Sequence, residues 1–265
     1  MSADADYRLD LGSEYTRPCG GNAEAQKWVD RGLLWLYGFN HAEGVACFQR
    51  AAEADASCAM AKWGEAYGSG PNYNAAEPMV PPAQTKALAA AEAAVELLDG
   101  AETLGAANAA LVRALPSRLG PVIDMSVEAR DAQNAAFAEK MEQVYAEHGA
   151  TDADVAFVYA DALSLLCPPW RLWQGADEAI LQGDFECQVP RTETTTRLLE
   201  VLERGLTLAP RHAGLCHLYV HACEVRERCF LDCALSFSPT LKGYRITVAD
   251  GPSQRAPRRA ARRGA

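Results

Sequence analysis

The sequence predicts an all-α chain built from stacked helical hairpins, and three observations carry that prediction. The first is the run Trp28-Val29-Asp30-Arg31-Gly32-Leu33-Leu34-Trp35, followed by Gly44-Val45-Ala46-Cys47-Phe48 and Ala51. Gly32 lets a second antiparallel helix approach closely, with Trp28, Trp35 and Phe48 filling the seam between the two. The second is recurrence: Met60, Trp63, Gly64 and Tyr67 repeat the pattern 32 residues beyond Gly32, which is the signature of a repeated hairpin. The third is composition, in which β-branched residues are sparse and Ala, Leu and Glu frequent, favouring helix over strand. With 49% hydrophobic residues the chain can build a core and is not disordered overall.

Each element has local support. Helices are expected over 23–39 and 42–54, and a third from Ser57 onward. Gly-Ser-Gly-Pro-Asn-Tyr-Asn and the Pro81-Pro82 pair then specify a loop over 68–82, with Asn72-Tyr73-Asn74 in a turn. Helices resume over 83–98, terminated at Gly100, and over 102–114, before Pro116, Gly120 and Pro121 mark a break. A long helix covers 126–148 and stops at Gly149. Thr151, with Asp154 three residues later, offers an N-cap for a helix to Leu166, where Ala156, Tyr159, Ala160 and Leu163 again hold the repeat spacing. Residues 167–190, containing Pro168-Pro169, Trp170 and Trp173, are irregular, with the tryptophans pinning the insertion to the body. Helices over 191–208 and 215–224 follow, giving three to four degenerate repeats separated by insertions. The chain divides into an extension (1–22), a helical body (23–236) and a tail (237–265) that reads as disordered and carries Arg255, Arg258, Arg259, Arg262 and Arg263.

Three segments, GLLWLYGFNHAEGVACFQRAAEADASCAMAKWGEAYGSGPNYN, VYADALSLLCPPWRLW and RGLTLAPRHAGLCHLYVHACE, resemble a divergent family of tetratricopeptide-repeat proteins. The resemblance covers roughly 23–224. It implies a right-handed α-solenoid of degenerate TPR-like hairpins with inserted loops, and a scaffold or adaptor that binds a peptide or protein in its concave groove. No reaction comes with it. Beyond Glu224 the chain departs from the pattern, because only a short helix fits before Pro239 and the last repeat face lacks a cap.

The formal net charge of −10 argues against nucleic acid as partner, since that binding rests on cations neutralising phosphates. Removing the five tail arginines leaves the body near −15. The amino terminus lacks the basic and apolar regions of a secretion signal, and no stretch is apolar for long enough to span a bilayer. The 83–98 helix has too few cations for a membrane-surface element. Nine cysteines without a CxxC pair read as reduced thiols, so a cytoplasmic setting is expected.

The candidate chemistry lies in His212-x4-His217-x3-His221, with Glu224 next on the same face. Steps of four and three put His217, His221 and Glu224 in one helical stripe, and the repeat frame places Glu65 and Asp161 in corresponding stripes. Beside them Cys216, Val220 and Cys223 form the expected core stripe, which would turn the histidines toward the groove. Two histidines and up to three carboxylates could line a polar peptide groove, or hold a divalent metal through His217, His221 and Glu224. His217-Leu218-Tyr219-Val220-His221 lacks the glutamate of the metallopeptidase signature, so no catalytic residue is assigned and no cofactor beyond that metal is expected. Cys229 and Cys233, one turn apart, read as buried thiols.

Overall fold

A computed structural model describes residues 11–12, 14–75, 78–100, 104–120, 126–167, 172 and 192–223, without the side chains of 99 and 100. Trp170, Trp173, Glu224, Cys229, Cys233 and the Arg-rich tail lie outside the described residues. Among the described residues the chain is all-α: α1 (Ala23–Tyr37), α2 (His41–Ala54), α3 (Ala59–Ser69), α4 (Pro81–Glu96), α5 (Ala106–Ala114), α6 (Pro116–Leu119), α7 (Val127–His148), α8 (Ala153–Ser164), α9 (Glu193–Leu208) and α10 (Ala213–Cys223). The only β pairing among them is the isolated bridge Asn72–Ala75. No described helix is long and apolar enough to cross a membrane.

Capping explains most boundaries. The Asn22 side chain accepts from the Glu24 and Ala25 N–H groups, and Ser126 and Thr192 cap α7 and α9 in the same way. At α8 the cap is Asp152, accepting from Asp154 and Val155, one residue later than Thr151. Pro81 and Pro82, expected in the loop, occupy the first positions of α4, where a missing N–H costs nothing. The same logic makes Pro116, expected as a break, the opening of the one-turn α6.

The first hairpin is wedged by Phe48, which is fully buried. A Cβ at Gly32 would lie 2.8 Å from the ring, and one at Gly64 would overlap it more deeply. The ring therefore sits between α1 and α3, against the backbone of two glycines 32 residues apart. Trp28 and Trp63 are buried with it, as are Ala51 and Tyr67, whereas Trp35 is only half-buried, its place in the seam taken by Leu33 and Leu36.

Helices α1 to α4 pack in sequence, and α7 to α10 do likewise, with α5 and α6 bridging α3 and α4 to α7. The two halves also meet directly, because α10 packs on both α1 and α8. A Cβ on Gly214 would lie 2.6 Å from the Phe157 ring and 2.9 Å from that of Tyr37, so α10 needs glycine to reach them. Tyr37 and Phe157 meet edge to face at 4.7 Å. The later helices thus fold back onto α1.

Candidate functional site

The residues expected to share a groove do not converge on one point: His217 and His221 meet at a corner where His41 also feels the charges of Asp161 and Arg118, while Glu65 is paired apart from them. His217 and His221 do meet, with ring centroids 4.9 Å apart, but against an aromatic corner. Phe39 lies 4.2 Å from His217 and 5.4 Å from His41, and Tyr73 lies 4.9 Å from His221. His217 Nδ1 is 3.3 Å from the Tyr37 carbonyl. The core stripe of α10 is Leu215, Leu218, Tyr219, Ala222 and Cys223, while Cys216 and Val220, expected inside, are exposed. The expected stripe is corrected by about one residue, or ~100°, because α10 packs on α1 and α8 as well as on α9. That rotation turns the histidines onto the corner where α1 meets α2. Tyr73, expected in a polar turn, is buried in the same corner.

Glu65 and Asp161 are committed to other partners. Glu65 accepts from Gln49 at 3.2 Å and pairs with Lys62 at 3.4 Å and Lys86 at 3.6 Å. Asp161 accepts the Tyr67 hydroxyl at 2.6 Å and pairs with Arg118 at 3.1 Å. Arg118, from the α6 turn, is buried, lies 4.5 Å over the Tyr67 ring and also donates to the Pro71 carbonyl. Burial would lower the Arg118 pKa, but the Asp161 charge and the Tyr67 hydroxyl raise it overall. Among the described residues no group of three His, Cys, Asp or Glu side chains is arranged to hold a metal ion.

A larger polar cluster, invisible to the sequence pattern, centres on Asp154 in the first turn of α8. Its Oδ1 accepts from the Tyr15 hydroxyl at 2.8 Å, from the Tyr37 hydroxyl and from His212 Nε2 at 3.0 Å. Its Oδ2 accepts from Arg17 Nη1 at 2.7 Å, and the same guanidinium holds Asp152 through two bonds of 2.9 and 3.0 Å. Burial would raise the Asp154 pKa, but His212, Arg17 and Tyr37 outweigh it and hold the carboxylate well below its usual range. Burial, reinforced by the Asp154 charge, pushes both tyrosine hydroxyls well above theirs. His212 Nδ1 accepts the Leu215 N–H at 3.2 Å, which places the proton on Nε2 facing Asp154 and uses both ring nitrogens. Apart from the buried Arg17 Nε, which lacks a partner, the polar atoms named here are engaged with one another, so the cluster fastens segment 14–22 to α8 and α10.

Three members of the cluster, Tyr15, Asp154 and His212, line an open cleft of about 900 Å³. Apolar groups from Leu11, Leu34, Ala209 and Pro210 line it as well. At its rim Arg211 and Glu14 pair at 3.0 Å, both well exposed. Such a concavity, mostly apolar with a few fixed polar groups, suits binding. No family model, curated protein or solved structure matches the chain.

Proposed function

We propose that this protein is a non-catalytic binding module of the tetratricopeptide-like kind, a right-handed solenoid of degenerate hairpins acting as a scaffold or adaptor for a peptide or protein segment. The repeat reading is supported by the Phe48 wedge, whose two flanking glycines recur at close to the repeat period. The non-catalytic reading is supported by the saturation of Asp154, His212 and Asp161 with partners from within the chain.

The single observation that carries the binding reading is the cleft between segment 11–15, the α1 residue Leu34, and residues 153–154 and 209–212. It takes the place of the expected groove of Glu65, Asp161, His217, His221 and Glu224, whose described carboxylates are already paired within the chain. Its mixed lining fits an extended segment with an apolar side chain against Leu34 and a polar group at the Arg211–Glu14 rim. Selection of displayed peptides on the immobilised full chain tests this. Binders should be lost on Leu34→Glu and retained on Val220→Glu, a change at an exposed position outside the cleft. Equal binding to both variants would reject the cleft.

A second reading is a divalent metal held by His217, His221 and Glu224, the last of which lies outside the described residues, since the described residues alone offer no set of three ligands. The ring nitrogens of His41 are buried with no side-chain partner, their polar contacts being the Gly68 backbone and the nearby His217, and His41, His217 and His221 all pack on Phe39. Burial lowers the His41 pKa, which suits a neutral ligand. Metal analysis of untagged protein tests it, with stoichiometric metal lost in His217→Ala/His221→Ala as the supporting result.

A further inference from the structure

The turn that leads segment 14–22 into α1 brings two cysteines together across the chain. Cys19 and Cys58 are both buried, at 1% and 0% exposure, and both are free thiols. The Cys58 thiol donates to the Cys19 carbonyl at 3.4 Å, which sets the two side chains against each other. The Gly21 N–H points at the same sulfur from 3.3 Å. Gly20, at φ +73°, turns the chain through a conformation that favours glycine. A Cβ on Gly21 would lie 2.9 Å from Cys58 Cβ and 3.1 Å from its sulfur. The Gly20-Gly21 pair is therefore what allows the turn to press on Cys58. Cys58 itself stands at the N-cap of α3 and makes no side-chain cap bond, so its thiol is left for Cys19.

We propose that Cys19 and Cys58 are a reactive dithiol that closes to a disulfide by exchange with a low-molecular-weight disulfide such as glutathione disulfide. Cys19 is the attacking thiolate. Contact with the Cys58 thiol, opposed by burial and aided by the Gly21 N–H, holds the Cys19 thiol below its ordinary pKa, while the same contact and burial push Cys58 up. The Cys19 thiolate attacks one sulfur of glutathione disulfide, forming a mixed disulfide and releasing one glutathione thiolate. With the Cys19 charge gone, Cys58 loses its proton to that thiolate and attacks the Cys19 sulfur, releasing the second glutathione. The sum converts two protein thiols and one small disulfide into one protein disulfide and two small thiols. The product staples segment 14–22, which carries Tyr15 and Arg17 into the Asp154 cluster, to the start of α3. Pro18 and Asn22 on either side are exposed, so local opening of a short turn admits the oxidant.

The test uses the full reduced chain in glutathione redox buffer, quenched with acid, blocked with N-ethylmaleimide and mapped by peptide mass spectrometry. A Cys19–Cys58 cross-link should dominate all other pairs. Cys58→Ala should instead accumulate glutathione on Cys19, and its alkylation at pH 7 should slow by about tenfold as the thiol returns toward its ordinary pKa of ~8.5. Cys19→Ser is the reciprocal variant, in which Cys58 should take up no glutathione. A cooperative thermal transition in either variant establishes that it folds. Dominant cross-links through other cysteines, or a Cys19 alkylation rate unchanged in Cys58→Ala, would overturn the assignment.

Discussion

Gly64→Ala should destabilise this chain although alanine is the better helix former. The added methyl would stand 2.5 Å from Cγ of Phe48 and nearer still to two other ring atoms. Ordinary carbon contacts are ~3.5–4.0 Å, so the ring would have to retreat by more than ~1 Å. It has nowhere to go, because a Cβ at Gly32 on the opposite helix would already lie only 2.8–2.9 Å from the ring. Overpacking of this kind costs ~1–3 kcal/mol and commonly more where both sides are rigid, against a helix-propensity gain of ~1 kcal/mol. With the ring confined on both sides the upper end of the overpacking range applies, so a net loss of ~2 kcal/mol follows, about 3 less about 1, read as a lower urea midpoint with unchanged slope. Phe48→Leu in the Gly64→Ala background should cost at least ~1 kcal/mol less than Phe48→Leu alone, because the two sites share one space. A Gly64→Ala protein as stable as the parent, or additive behaviour in the cycle, would refute the wedge.

The remaining predictions concern buried partners. Trp28→Ala should cost ~3–5 kcal/mol in urea unfolding, since the ring is fully buried. Arg17→Ala strips Asp152 and Asp154 of their buried cation and should cost ~3–5 kcal/mol, detected as a fall in Tm and faster proteolysis near residue 17. Asp161→Ala strands the buried Arg118 guanidinium and should be comparably severe, with Asp161→Asn milder by the same melt because it can still accept from Tyr67. The folded-state pKa of Asp154 lies below the unfolded value of ~3.9. Its contribution is therefore full above that value and is lost as pH falls through the folded pKa. Tm should drop more steeply below about pH 4 in the parent than in Asp154→Asn, measured by differential scanning calorimetry.

The parts of the fold legible in the sequence are those encoded by near neighbours. Gly32, Phe48 and Gly64 keep a fixed spacing, so the close helix approach and a buried Phe48 could be read directly, as could the stop at Gly149, whereas Ser126 was read as helix and is the cap, and the contact of Phe48 with Gly64 was not foreseen. The prolines at 81, 82 and 116 were ambiguous, because the same residue that breaks a helix also opens one, and only the neighbouring packing decides. The register of α10 was misread for a different reason. Cys216 and Val220 are as apolar as Leu215 and Leu218, and which pair is buried depends on α1 and α8 meeting that helix from another side. The Asp154 cluster left no local trace at all, since Arg17 reaches its carboxylates across 135 and 137 residues. One signal was available: an arginine and a tyrosine two residues apart ahead of α1, in a segment otherwise read as an extension. The same segment also holds Cys19, whose partner Cys58 lies 39 residues on.

The proposed binding mode puts a peptide in the cleft lined by Tyr15, Asp154 and His212 and not at the corner of Tyr67, Asp161, His217 and His221. Hydrogen–deuterium exchange of the full chain with and without a selected peptide tests it most directly. The account predicts new protection at residues 14–17, 34–36, 153–156 and 209–214, with exchange around Tyr67 and Asp161 unchanged. Protection concentrated at residues 65–73 and 217–221, with none at 209–214, would contradict it.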